Sequence, residues 1–201
     1  MSKRIRIGTR GSKLALWQAN FVKYELEKNG IVADLEIIKT QGDIVQNLSF
    51  DKLEGKGFFT SELEEALSNG SVDLAVHSMK DLPTESPEHL MIAGVSSREN
   101  PADWLIIHPE HVDNSLPLGL KSGAIVGTSS NRRKAQLKYL RPDVEIRDIR
   151  GNVPTRLKKI ESGEVEAGIL AAAGLLRIAA PLDPFKVVKL HPREFIPAPA
   201  Q

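Results

Sequence analysis

The sequence predicts an α/β protein of two lobes, each with a sheet flanked by helices and with a cleft between them. Three observations carry this expectation. Strand-like and helix-like patterns alternate along the chain, as they do in parallel or mixed sheets covered by helices. The alternation breaks once, at Arg98-Glu99-Asn100-Pro101-Ala102-Asp103, and then restarts. Several short strands end in a glycine and a small hydroxyl residue next to a cation. A length of 201 residues suits one domain or two small ones.

Ile5, Ile7 and Thr9 alternate with polar neighbours, so residues 4–9 are expected to be a strand. Gly8-Thr9-Arg10-Gly11-Ser12 turns the chain. Residues 13–29 have helical periodicity, with Leu14, Trp17 and Phe21 on one face and Ala15, Val22 and Leu26 beside it. Ser12 is the expected N-cap and Gly30 the stop. A second strand is expected over 34–40, then a loop over 41–57. Ser61 and Glu64 have the spacing of a capping box, which predicts a helix that ends at Asn69-Gly70. Residues 73–77 resemble a short buried strand, and 79–83 the loop that leaves it.

In the second half, strands are expected over 104–107, 124–127, 144–149 and 167–171, and helices over 131–140 and 153–162. The tail from Pro181 holds five prolines and is expected to be a connecting segment rather than part of a core.

Composition narrows the function classes. Hydrophobic residues are 41% and charged residues 26%, enough apolar matter for a core and too much for a mainly disordered chain. Lys plus Arg (27) nearly cancel Asp plus Glu (26), so no polybasic field points to nucleic acid. No run approaches the roughly 20 apolar residues of a membrane span. Met1-Ser2-Lys3-Arg4 leads into no apolar signal region. The expectation is a cytoplasmic protein with no membrane partner. There is no cysteine, which excludes disulfides, thiolate metal sites and thiol nucleophiles from these residues.

The recurring loops are Gly8-Thr9-Arg10-Gly11-Ser12, Gly127-Thr128-Ser129-Ser130-Asn131-Arg132-Arg133 and Arg150-Gly151-Asn152-Val153-Pro154-Thr155-Arg156. Gly55-Lys56-Gly57 is a variant without the hydroxyl. Each pattern suits an anion: glycine lets backbone N–H groups approach, hydroxyls donate, and Arg forks onto carboxylate or phosphate. Alone, each is also an ordinary turn or cap. Together they point to a site for a polyanion. Walker and dinucleotide glycine patterns are absent. The five histidines lack ligand spacing, and His108 and His111 are expected to be loop surface, so no metal is expected. Val76-His77-Ser78-Met79-Lys80-Asp81 places a Lys and an Asp at the end of a strand. A partly desolvated carboxylate there could stabilise positive charge or move a proton, and it could equally be a loop ion pair.

At these same residues the sequence resembles the porphobilinogen deaminase (hydroxymethylbilane synthase) family. The matching stretches are 6–19, Thr40-Gln41-Gly42-Asp43, Gly55-Lys56-Gly57-Phe58-Phe59, 75–83, 127–133, 150–156 and 170–177. The resemblance implies a transferase of tetrapyrrole (haem) biosynthesis that joins four porphobilinogens head to tail with loss of ammonia. It implies growth on a dipyrromethane primer held covalently by a cysteine. It implies two periplasmic-binding-protein-like lobes with mixed sheets, over 1–98 plus 193–201 and over 103–188, in a chain that is usually a monomer.

By motif position, the resemblance makes Asp81 the catalytic carboxylate, facing an azafulvenium-like cation. Arg10, Ser12, Arg150 and Arg156 would hold substrate carboxylates. Lys56, Ser78, Lys80, Thr128, Ser129, Ser130, Arg132, Arg133 and Arg177 would hold the primer. Two departures stand out. Ser61 occupies a position where the family often has lysine. The sequence stops at Pro197-Ala198-Pro199-Ala200-Gln201, within the motif that leads to the third, cysteine-bearing domain, so a shortened form with impaired activity and no covalent primer is expected. The alternative is a non-catalytic module that binds porphobilinogen or another carboxylate. Nucleic-acid binding through Arg132-Arg133-Lys134 is disfavoured by the net charge of +1.

Overall fold

The computed structural model describes residues 4–40, 60–85 and 87–201. The chain divides into two compact units, Met1–Ser97 with Ala200, and Arg98–Pro199 with Gln201.

In the first unit, β1 (Ile5–Thr9) leads through a tight turn into α1 (Lys13–Lys28) and then β2 (Ala33–Ile37). After α2 (Ser61–Ser68), β3 (Leu74–Ala75) completes a sheet of order β2-β1-β3, parallel throughout its described strands. Ile7, Ala19 and Ala33 form the buried centre, with Val22, Leu26, Leu35 and Leu74 packed around them. The sheet-facing stripe of α1 is therefore Ala19, Val22 and Leu26. Trp17 and Phe21, expected on that stripe, stack on each other at 5.8 Å, and Trp17 is exposed. Ser12 caps α1 as expected, accepting from the Ala15 N–H at 3.2 Å, and Gly30 ends it in the left-handed region.

The capping box at Ser61 does not form. Thr60 is the N-cap, which puts Glu64 one position beyond the residue that could reach back. Ser61 instead donates to the Glu62 carboxylate at 3.1 Å. The strand expected over 73–77 shortens to two residues and is half-buried.

The second unit is a five-stranded mixed sheet of order β6-β5-β7-β4-β8. Its strands are β4 (Asp103–Ile107), β5 (Ile125–Gly127), β6 (Glu145–Arg147), β7 (Ala167–Ala171) and β8 (Lys186–Lys189). β5 runs parallel to β6 and β7, and β4 runs antiparallel to β7 and β8. Both faces are covered. Leu105 and Ile107 point to one side with Leu137 of α3 (Asn131–Leu140). Trp104 and Ile106 point to the other with Leu157 and Ile160 of α4 (Val153–Glu161) and Leu175 of α5 (Ala172–Arg177). This two-residue alternation explains why the whole of β4 is buried and why its sequence is almost unbroken hydrophobe.

The tail departs from expectation. β8 is an integral strand, and Phe195 is among the largest fully buried side chains, packed with Leu105, Leu137 and Leu190. Proline density marks where this segment turns, but one aromatic and Val187-Val188 suffice to anchor it. The resemblance returns 193–201 to the first lobe, whereas the segment through Pro199 groups here with the second unit.

Candidate functional site

In the first unit, the chemistry gathers at the carboxyl ends of β1 and β3. These strands are adjacent and in register, Gly8 opposite Ala75, so the residues after them emerge side by side. Thr9 is fully buried and donates to the Ala15 carbonyl at 3.2 Å, which ties the strand to α1. The Ser12 oxygen accepts a helix N–H, so its own proton remains for a ligand. Ser78 Oγ accepts from Gln18 Nε2 of α1 at 2.9 Å. Met79, Lys80 and Asp81 form one turn of 3₁₀ helix, closed by the Asp81 N–H on the Ser78 carbonyl at 2.9 Å. Asp81 is exposed within this unit, not partly desolvated as its position after a buried strand had implied.

His77 lies among these groups. Burial pushes its pKa below 6.5, while the charges of Asp81 and Glu64 pull upward and that of Arg10 pushes downward. The net direction is down, so neutral imidazole is favoured. That balance places Arg10 and Asp81 each within electrostatic reach of His77. The sequence placed Arg10 and Asp81 in the site but gave His77 no role, and it gave no signal for Gln18.

The second unit repeats the arrangement at the carboxyl ends of β5 and β6. The Thr128 N–H donates to the Arg147 carbonyl at 2.9 Å, and Ser129 Oγ donates to the Ile149 carbonyl at 2.9 Å. These bonds tie the 127–130 loop to the end of β6 and to the loop that follows it. Gly127 permits the contact, because a Cβ there would lie 2.8 Å from Ile149 Cδ1. Gly151 has φ of +105°, and a Cβ would meet Thr155 at 2.6 Å. Asn152 caps α4, accepting from the Thr155 N–H at 3.0 Å, and Arg156 Nε donates to the Gly151 carbonyl at 2.8 Å. Ser130 caps α3, and Thr128 is buried. Arg150 and Arg156 are half-buried beside these loops, and Arg177 closes α5.

Arg132 and Arg133 behave differently from the expectation. Asp103, at the start of β4, is fully buried, and both arginines converge on it. Arg133 donates to the two carboxylate oxygens at 2.6 and 3.1 Å and to the Ile169 carbonyl at 2.9 Å. Arg132 donates to Asp103 at 2.7 Å and to the Ile196 carbonyl. Burial alone would raise the Asp103 pKa, but its hydrogen bonds and ion pairs with the two arginines outweigh burial and lower it. All three nitrogens of Arg133 thus point inward, onto Asp103 and the Ile169 carbonyl. Lys134 pairs with Asp148 at 2.6 Å, so each cation of the basic run faces a carboxylate. Lys56 lies outside the described residues, as do the loop over 41–57 and most of the 40–43 and 55–59 motifs.

A family model described as "Porphobilinogen deaminase, dipyromethane cofactor binding domain" matches residues 5–201. The chain belongs to the porphobilinogen deaminase family. A relative named porphobilinogen deaminase from Nitratidesulfovibrio vulgaris (strain DP4) is 48% identical over 202 residues, covering 99% of this chain and 62% of its own. Relatives of the same name from a Nitratiruptor species and from Francisella tularensis subsp. novicida are each 48% identical, covering 87% and 88% of this chain and 55% and 58% of their own. The chain therefore spans roughly three fifths of the length of these porphobilinogen deaminases. Among solved structures, the probable amino-acid ABC transporter extracellular-binding protein ytmK of Bacillus subtilis matches with a TM-score of 0.54 at 14% identity, covering 95% of this chain and 79% of that one. That likeness shows the two-lobe binding-protein fold. No described helix is long and apolar enough to cross a membrane.

Proposed function

We propose that this chain carries the pyrrole-handling machinery of a hydroxymethylbilane synthase-type transferase, which condenses porphobilinogen with loss of ammonia. The observation that carries the reading is Asp81. It stands on a short 3₁₀ turn at the carboxyl ends of two paired strands, next to Ser78 and Lys80, and its charge reaches His77, as that of Arg10 does. An anionic carboxylate so placed stabilises positive charge as the substrate's ammonium leaves, which is where electrostatic catalysis acts. Arg10 and Ser12 are proposed to receive substrate carboxylates at the N-terminus of α1, and Arg150 and Arg156 to do so at the second unit's loops.

The donor set fits a polycarboxylate cofactor in part. Ser78, Lys80, Ser130 and Arg177 are proposed to hold dipyrromethane carboxylates, and Lys56 joins them by motif. When bound, that group supplies the pyrrole carbon on which the chain grows. Thr128, Ser129 and Arg133 are proposed to act by shaping the loop, because their polar atoms face the protein. Arg132 is proposed to do the same through Asp103. The covalent link needs a thiol, and these 201 residues hold none.

Asp81→Asn tests the reading. Ammonia release from porphobilinogen is expected to fall at least ~100-fold, with porphobilinogen affinity changed by less than ~3-fold. Equal rates in the two proteins refute it. Binding without any ammonia release from the unsubstituted protein supports the carboxylate-binding module instead.

A further inference from the structure

A histidine pair outside the anion loops has chemistry of its own. Pro109–His111 form a 3₁₀ turn directly after β4. His108, with extended backbone, caps this turn and His111 closes it, so the two come together although their spacing resembles no helical metal motif. Their rings lie 6.0 Å apart, edge to face. Ligand atoms of His108, Glu110 and His111 all lie within 4.8 Å of one another. We propose that His108, Glu110 and His111 form a binding site for one transition-metal ion of the zinc class.

The set supplies two imidazole nitrogens and one carboxylate oxygen, with water as the fourth ligand of a tetrahedral ion. Imidazole donors favour zinc, cobalt, nickel or copper over magnesium and calcium. His108 and His111 are half-buried and Glu110 is exposed, so the three donors meet at the protein surface.

Surrounding groups prepare the site. Glu166 Oε2 lies 3.4 Å from His111 Nδ1 and accepts the Ile125 N–H at 2.8 Å. A carboxylate fixed against Nδ1 holds the ring proton there and leaves the Nε2 lone pair for a metal. The His108 N–H donates to the Glu166 carbonyl at 2.9 Å, so the turn and the start of β7 are already joined by backbone. His108 Nδ1 accepts the Glu110 N–H at a long 3.3 Å. Ligation through its Nε2 moves the ring proton to Nδ1 and gives up that contact, with no net proton released by this ring. Glu166 pairs with the amino end of β5, whereas Thr128, Ser129 and Ser130 follow its carboxyl end. The ion would therefore sit across the sheet from the anion loops and brace the β4 and β7 ends.

Calorimetric titration of the untagged protein with Zn²⁺, repeated with Co²⁺ to read the visible absorption of a four-coordinate ion, tests the site. One ion per chain is expected. His108→Ala and His111→Ala should each weaken binding at least ~30-fold, and Glu166→Gln about 10-fold, the effect of losing an orienting partner. His191→Ala should leave binding unchanged. Retained affinity in both His108→Ala and His111→Ala, or no Zn²⁺ uptake at about 1 mM, overturns the proposal. A variant that fails to bind is accepted as evidence only when its circular dichroism and melting curve match the unsubstituted protein.

Discussion

The two units use the same local recipe around an aspartate and put it to opposite uses. In the first, the strand ends present Asp81 on an exposed 3₁₀ turn, held through backbone by Ser78 and flanked by Lys80. In the second, one carboxylate, Asp103, is buried at a strand start, and two arginines that resemble anion-binding residues in sequence are drawn inward to it. A carboxylate exposed at a strand end is available for chemistry. One buried under two guanidinium groups holds the loop that carries them. Identical residue types read alike in sequence, and burial decides between the two uses.

The sharpest way to break this comparison is to delete both carboxylates. Asp103→Ala should destabilise the second unit by about 3–5 kcal/mol, because it strands two guanidinium groups beside a buried site. Asp81→Ala should cost no more than about 0.5 kcal/mol, as expected for an exposed side chain. Urea unfolding measures both, and similar losses would remove the distinction. The lowered pKa of Asp103 adds a sign. Its contribution is present above the unfolded carboxylate value near 3.8 and is lost as pH falls through the folded value. Asp103→Asn should therefore flatten the acid limb of the second unit's stability curve.

A smaller effect is expected at Gly151. With a positive φ and a Cβ position 2.6 Å from Thr155, Gly151→Ala should cost about 1–3 kcal/mol and weaken carboxylate binding by displacing Arg150. Gly151→Ala paired with Thr155→Ser, which removes the methyl at 2.6 Å but leaves the Thr155 Cβ at 2.7 Å, should recover only a small part of the stability. Full recovery would make the methyl contact the whole cost and leave none to the remaining Cβ contact and the backbone.

The smallest effect concerns His77. Its folded pKa is depressed below 6.5, so between the folded and unfolded values the unfolded chain binds more protons. Stability therefore rises with pH through this window and falls as pH drops below 6.5. His77→Gln should remove that slope, read as the difference in unfolding midpoint between pH 5 and pH 7. A slope unchanged by the substitution would place the titration elsewhere.

Much of this was legible in the sequence because it is local. The strand at Ile5 and the helix after Ser12 are set by periods of two and 3.6 residues, and β4 by a short, nearly unbroken apolar run. The Ser12 cap depends only on a neighbour three residues away. What escaped was non-local. Trp17 and Phe21 have the right spacing for a core face, yet the sheet meets α1 at Ala19 and Val22, where small residues allow close approach. Phe195 lies in a proline-rich stretch and has no periodic companions, so its burial depends on Leu105 and Leu137, far away in the chain. Asp103 carried no motif at all, and only the fold shows that Arg132 and Arg133 converge on it from 29 and 30 residues away.

β8 has a further consequence. It pairs with β4, Trp104 opposite Lys189, and the Leu190 N–H donates to the Asp103 carbonyl at 3.0 Å. The first and last strands of the second unit are thus neighbours, joined by a hydrogen bond at this end, and the chain beyond β8 returns to the same core through Phe195. A polypeptide arranged this way is a nearly closed cassette. A cut that frees it belongs after Phe195, and a short linker there would allow it to be reopened at a surface turn such as Ser122-Gly123 without cutting the sheet. For protein engineering, the anion loops at β5 and β6 are then a transplantable part.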